Sequence, residues 1–362
     1  MTVSLGLPPR QRLASVDALR GLTVAAMLVV NNPGDWSHVY APMRHASWHG
    51  CTPTDLIFPF FLFVVGVSLA LSSNARLASG AGRREVAGAF AWRALRIIAL
   101  GLALHALAWW ALAAEHFRPM GVLQRIGLCV LAAGWLAIHV RPRTQWMIAV
   151  AVLVGYWLLM LTGGTLEPWI NLASRIDTQV LGSHAYQFDA ATGRAHDPEG
   201  LLSTLPAIAT TLIGVRAGDW LRSGELRKLL GLGVGALLAG LLWSTVLPFN
   251  KNLWTSSYVL WTAGWACLAL GGLYELIDRH GWPALGRSLG VNAIVIYAGS
   301  AALVYVLIAC GGWGPLYERM FASWLAPLFG PPAASLAWAL VFTMLWWLIA
   351  WLLDRRRIYF RI

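Results

Sequence analysis

Long apolar runs, interrupted by short basic or glycine- and proline-rich breaks, dominate the chain, and polar residues enter them singly. Each run lasts about 20 residues, enough for an α-helix to cross a hydrocarbon core of roughly 30 Å. The pattern predicts ten spans, centred roughly on 18–37, 54–73, 92–112, 121–140, 146–162, 200–218, 229–247, 254–275, 289–309 and 333–353. Ten-residue segments alternating apolar and polar positions are absent, which disfavours a β-barrel.

Polar positions inside the spans carry the next layer of information. In the first span Asp17, Arg20, Val24, Met27 and Asn31 recur at three- and four-residue steps and share one helix face. That face is polar at both ends and apolar between, with Thr23 on its edge. Arg20 has two readings, a snorkelling cation paired with Asp17 or a ligand contact. Asn31 is expected to face the bundle interior, as polar side chains within a membrane do. Just before the second span, Thr52-Pro53-Thr54-Asp55 reads as a helix start: Thr52 as N-cap, proline at the first position, and Asp55 in a variant capping box. A carboxylate there can also orient a histidine, and His45, Trp48 and His49 precede it. Asp197-Pro198-Glu199-Gly200 repeats the capping pattern at the sixth span. Gln124 and Arg125 open the fourth span, Asn250-Lys251-Asn252 leads into the eighth, and Gly290 with Asn292 lies in the ninth. For Gly290 and Asn292, helix packing with an interhelical hydrogen bond competes with a ligand role.

Composition agrees with the pattern. Of 362 residues, 58% are hydrophobic and 12% charged, whereas soluble domains carry about 25% charged residues. The chain is therefore expected to be an all-α polytopic membrane protein, one transmembrane domain over residues 1–362, with outer-face segments at 163–199 and 310–332. Its net charge of +11 would suggest nucleic acid in a soluble protein, but topology explains it here. Arg10, Arg12, Arg76, Arg83, Arg84, Arg141, Arg143, Arg222, Arg227, Lys228, Arg279, Arg287, Arg355 to Arg357 and Arg361 fall in alternate loops. With the span-end residues Arg20, Arg93, Arg96 and Arg216, about 20 of the 27 basic residues lie on one side, the bias of cytoplasmic loops. Both termini are expected there, and no signal-peptide pattern precedes the first span, which is expected to be retained. Cys51, Cys129, Cys267 and Cys310 have neither zinc nor disulfide spacing and read as packing residues. The segment 163–199 carries Arg175, Asp177, His184, Tyr186, Asp189, Arg194 and His196, a set suited to sugar contacts or to solvation. The segment 310–332 reads as a re-entrant or surface cover. The topology lets His45, Asn31, Asp55, Gln124, Arg125, Glu199 and Lys251 line one outer mouth.

Seven motifs in order carry a resemblance: Val16-Asp-Ala-Leu-Arg20-Gly21, Val30-Asn31, His45-Ala-Ser-Trp48 through Pro59, Gly121-Val-Leu-Gln124-Arg125, Asp197-Pro-Glu199-Gly200, Asn250-Lys-Asn-Leu-Trp254 and Gly290-Val-Asn292. Together they resemble the heparan-α-glucosaminide N-acetyltransferase family and its bacterial relatives, multi-span enzymes that move acetyl groups across a membrane. The resemblance implies His45 as the active-site residue and cytosolic acetyl-CoA as donor and co-substrate, without a metal. The nucleotide would bind near Asp17 and Arg20, the arm would pass Val24 and Met27, and the thioester would arrive near Asn31 and His45. His45 is then general base or nucleophile, Asn31 donates to the thioester oxyanion, and Asp55 holds the imidazole tautomer. Gln124, Arg125, Glu199, Lys251, Asn252 and Asn292 complete the expected binding set. The implied acceptor is a glucosamine-type amino sugar at the outer face, and the implied setting is a bacterial cytoplasmic membrane. The lysosomal member's large luminal extension has no counterpart before the first span, so heparan sulfate is not carried over as the acceptor. The lipid bilayer is an expected partner and nucleic acid is not; a homodimer stays open. The alternative is an amino-sugar permease using the same cavity without acetyl transfer.

Overall fold

A computed structural model describes residues 13–360, so Arg10, Arg12 and Arg361 of the charge pattern lie outside the described residues. In chain order the helices are α1 (Ala14–Asn31), α2 (Ile57–Ala78), α3 (Arg83–Ala111), α4 (Val122–His139), α5 (Pro142–Thr162) and α6 (Leu172–Val180). After the hairpin strands β1 (Gln187–Asp189) and β2 (Arg194–His196) come α7 (Thr204–Arg222), α8 (Leu226–Ser244), α9 (Ser256–Leu273), α10 (Arg287–Val291) and α11 (Ala293–Ala309). The chain continues through α12 (Trp313–Tyr317) and α13 (Ser323–Phe329) to α14 (Pro331–Arg355). The protein is an all-α polytopic membrane protein.

Eight helices among the described residues are long and apolar enough to cross a membrane, or nine if the bent pair 293–309 and 313–329, angled by 101°, counts as one span. The expected ten are thus corrected at two places. The sixth predicted span is α7, which contains Thr204, Pro206, Thr210, Thr211, Arg216 and Asp219 and falls short on hydropathy. Burial explains it, because most of α7 faces other helices rather than lipid. The ninth is interrupted at Asn292, which separates α10 from α11.

Small residues set the tightest contacts. A Cβ on Gly66 of α2 would overlap the Thr211 carbonyl of α7, and one on Gly214 of α7 would overlap the Phe63 carbonyl of α2. The same close approach joins α1 to α10, where Gly21 meets the Gly286 carbonyl and Gly290 meets that of Asp17. Membrane helices gain dispersion and weak polar contacts from such proximity. The apolar core runs through α1, α2, α4, α7 and α9, with Phe63, Leu62, Ile126, Leu212 and Val259 essentially inaccessible.

The segment 163–199 is a folded cover rather than an open connector. Asn171 caps α6 by accepting from Ser174 N at 2.8 Å, and β1 pairs antiparallel with β2. The segment 310–332 is largely helical, formed by α12, α13 and the turn between them.

Candidate active site

The loop from α1 to α2 delivers His45 to one end of the bundle, and the turn before α2 fixes it. Residues 53–56 form a short 3-10 helix that starts with the predicted capping arrangement of Thr52 and Asp55. Asp55 is buried, and its Oδ2 accepts from Thr52 N at 3.0 Å, Thr52 Oγ1 at 3.0 Å and Ala46 N at 3.1 Å. Its Oδ1 lies 2.7 Å from Nδ1 of His45, whose side chain is 47% exposed. The same carboxylate therefore starts the helix and holds the imidazole. An ionised carboxylate only accepts, so the neutral imidazole is assigned its proton on Nδ1, leaving the Nε2 lone pair available.

Lys251 reaches this ring from the turn before α9. Its Nζ is 3.1 Å from both ring nitrogens of His45, an equidistance that places it off the lone-pair axis of either. The turn is held by Asn250, whose Oδ1 accepts from Leu253 N at 2.9 Å and whose Nδ2 lies 3.3 Å from His49 Nδ1. Asn252 is half-buried in the same turn. Burial lowers the Lys251 ammonium below the usual lysine range, against the opposing pull of Glu199 and Asp55.

Glu199 belongs to a second cluster. Arg118 Nε and Nη2 grip Asp197 at 3.0 and 2.6 Å, and Nη2 also meets Glu199 Oε2 at 2.7 Å. The guanidinium lies over the Tyr186 ring, 4.6 Å from its centroid. Burial opposes the charge on Arg118, but Glu199 and Asp197 outweigh it and raise its proton affinity. Burial likewise opposes the Glu199 carboxylate, yet Arg118, Arg125 and Lys251 hold it below its ordinary range. The predicted capping role of Asp197 is corrected here. The helix α7 begins only at Thr204, and Asp197 instead accepts from Arg118, Glu199 N and Tyr186 N. In the cover, burial drives His196 down to about 4 and Asp177 up to about 6.

Arg125 and Gln124 are buried in the first turn of α4. Arg125 Nη2 donates to Gly200 O at 3.1 Å and to Ser203 Oγ, while its guanidinium lies 5.1 Å from the Trp254 ring centroid. Gln124 Nε2 is 3.4 Å from His105 Nδ1, which lies 2.7 Å from Arg118 O. Trp254 packs edge-on against Phe58 at 5.2 Å and Tyr258 at 5.5 Å. The Tyr258 hydroxyl donates to the Asp55 carbonyl. These rings form a septum behind the His45–Asp55 pair.

The opposite end of the bundle opens into a cavity of about 1120 Å³. Among the described residues its wall carries Arg20, Arg76, Arg93, Arg96 and Arg222 with Asp17, together with apolar side chains that include Phe61, Ile97 and Ile126. Arg20 Nη1 donates to Asp17 Oδ1 and to Gly290 O, both at 2.9 Å, and Nη2 donates to Ser68 Oγ at 2.7 Å. Snorkelling and pairing with Asp17 thus coexist with a place on the cavity wall.

Two expected residues sit differently. Asn31 ends α1 with an exposed side chain, and the buried asparagine is Asn32, whose Nδ2 donates to Leu28 O at 2.7 Å. The inward-facing expectation for Asn31 is corrected because the helix stops there, although Thr23, Val24 and Met27 are buried. Asn292 lines the cavity, but its amide is spent on the C-terminal segment: Nδ2 donates to Ile358 O and Oδ1 accepts from Phe360 N, both at 3.1 Å. Arg118, Trp254 and the cavity arginines 76, 93, 96 and 222 join these sites without having been expected in them.

A model of the family described as "Heparan-alpha-glucosaminide N-acetyltransferase, catalytic" matches residues 12–239. Two curated relatives carry the name heparan-alpha-glucosaminide N-acetyltransferase. The Homo sapiens protein is 30% identical, with 98% of this chain and 60% of the relative covered. The Mus musculus protein is 28% identical, with 97% and 60% covered. The chain thus spans about 60% of the length of these relatives. On the family match and the breadth of these alignments, the chain belongs to the heparan-alpha-glucosaminide N-acetyltransferase catalytic family.

Proposed function

We propose that this chain is a transmembrane acetyltransferase that takes acetyl groups from acetyl-CoA and delivers them to the amine of a glucosamine-type sugar. The observation that carries the reading is a basic cavity at one end of the bundle and a His45–Asp55–Lys251 cluster at the other, the latter backed by the rings of Phe58, Trp254 and Tyr258. Five arginines suit the phosphates of a nucleotide donor, and the cavity's apolar lining at Phe61, Ile97 and Ile126 suits a thioester-bearing arm. The basic bias of the alternate loops supports a cytoplasmic cavity, and both termini with it. The His45 mouth then faces the outer side of the membrane, beneath the cover formed by residues 163–199. The membrane in this reading is a bacterial cytoplasmic one.

At the mouth, Asp55 holds the Nδ1 proton and fixes the ring, so His45 Nε2 can take the proton released by the attacking amine. Glu199 provides a carboxylate for the incoming ammonium, and Lys251 supplies positive charge beside the imidazole. Nε2 is equally placed to accept the acetyl group itself before passing it on.

The test uses purified chain in proteoliposomes with acetyl-CoA inside and glucosamine outside, in the orientation assigned here. External N-acetylglucosamine is the expected product. Sugar uptake without acetylation would replace the enzyme reading with a permease. Mass spectrometry after incubation with acetyl-CoA alone separates the two chemical routes: an acetylated His45 marks the covalent one, and its absence during turnover marks direct transfer.

A further inference from the structure

The donor must present a carbonyl between the cavity and His45, and negative charge collects on its oxygen when the amine attacks. Arg125 stands in that interval. It is fully buried, and the next residue, Ile126, lines the cavity. Contacts continue from its guanidinium to Trp254, from Trp254 to Tyr258, and from the Tyr258 hydroxyl to the backbone of Asp55. The structural task of joining α4 to the start of α7 uses Nη2 alone, through Gly200 O and Ser203 Oγ. Nε and Nη1 have no hydrogen-bond partner among the described residues. A buried guanidinium with two idle donors is costly unless a ligand takes them. The backbone at Trp254, which stacks on it, has a φ of 51°, a left-handed conformation unusual for a bulky residue. Strain of that kind gathers at ligand-handling positions.

We propose that Arg125 receives the acyl carbonyl of the donor, one of its two idle groups, Nη1 or Nε, donating to the carbonyl oxygen and to the oxyanion that replaces it. This inference rests on the acetyltransferase reading above. In the direct route the amine nitrogen bonds to the carbonyl carbon, and the C=O pair moves onto oxygen against Arg125. Collapse of that oxyanion breaks the C–S bond and releases the thiolate. His45 takes the amine proton and returns it, so that amide and free thiol leave. If His45 itself is acetylated first, the same oxyanion forms in each of the two steps.

The experiment compares wild type, Arg125→Lys and Arg125→Gln as full chains in detergent, each checked for monodispersity. Turnover and acetyl-CoA affinity are measured separately, and the infrared carbonyl stretch of bound ¹³C-labelled acetyl-CoA is recorded. Removal of one oxyanion donor typically costs about 10²–10³ in kcat. Arg125→Gln is expected to show a loss of that order with donor affinity changed less than about threefold, and Arg125→Lys a smaller loss. The labelled stretch is expected to fall in frequency on binding wild type and to recover in Arg125→Gln. A kcat within about threefold of wild type in Arg125→Gln, or a wild-type stretch unchanged from that in water, overturns the proposal. A wild-type stretch unchanged from that in water overturns the proposal even where a variant fails to fold, and Arg125→Lys supplies the comparison where Arg125→Gln does not fold. If wild type turns over and these effects are missing, only the role of Arg125 falls; if wild type acetylates no amine, the acetyltransferase reading falls and this proposal falls with it.

Discussion

The two ends of the bundle handle charge in opposite ways. At the His45 end, carboxylates and cations are matched: Asp55 with His45, and Asp197 and Glu199 with Arg118. At the Arg20 end, among the described residues, five arginines share a cavity wall with one carboxylate, Asp17. Matched charges hold a geometry, whereas a surplus of one sign recruits a ligand of the other. On the proposed function, the first end would serve orientation and the second capture. Substitutions at the two should separate in kcat and KM.

The largest effect is expected from Asp55→Asn. The amide keeps the shape but no longer enforces a proton on Nδ1, and kcat should fall about 10²- to 10⁴-fold with little change in KM for acetyl-CoA. An equal rise in KM would break the division between the two ends. A thermal effect of up to about 3 kcal/mol is expected at His196, whose pKa falls from 6.5 to about 4 on burial. Above pH 6.5 the group is neutral folded or unfolded; as pH falls towards 4, only the unfolded chain takes up the proton, and stability is lost. Asp177 works in the opposite sense, since its raised value of about 6 makes the folded chain bind a proton first. Melting curves of His196→Gln should therefore gain on wild type as pH drops from 6.5 to 4.

At the other end, Gly290→Ala should destabilise by about 1–3 kcal/mol, read as a lower melting temperature, because the new methyl overlaps the Asp17 carbonyl. The smallest effect is expected for Arg76→Gln and Arg222→Gln, exposed residues on the cavity wall. Each should raise KM for acetyl-CoA about three- to tenfold at low salt, less at high salt, with kcat unchanged. A kcat effect there would blur capture with orientation.

Helix positions were readable from hydrophobicity wherever a helix faces lipid. The exception, α7, shows the limit: a helix surrounded by protein can carry Thr210, Thr211 and Arg216, so its hydropathy stops reporting its position. The link from Asp55 to His45 was readable because a capping box fixes a carboxylate locally, and the histidine lies ten residues before it in the same loop. Arg118 was not, since its partners are 79 and 81 residues away and no periodicity connects them. The one available signal was charge complementarity between a lone loop arginine and the Asp197–Glu199 pair. Arg76, Arg93, Arg96 and Arg222 entered the topological count of positive charge, which records side and not convergence. Asn31 misled because helix periodicity gives a face but not the last turn, and α1 ends at that residue.

The aromatic layer of Phe58, Trp254 and Tyr258 has a consequence for the cell. A membrane that stores an ion gradient cannot tolerate a water-filled passage between a large cavity on one side and a polar mouth on the other. On the proposed reading, rings packed edge to face, with Trp254 and Tyr258 essentially inaccessible, would help to close such a passage. A two-carbon acyl group on a slender arm would then be small enough to be handed past them, whereas hydrated ions would be held back. The protein would in this way trade a chemical group across the bilayer while keeping it electrically tight.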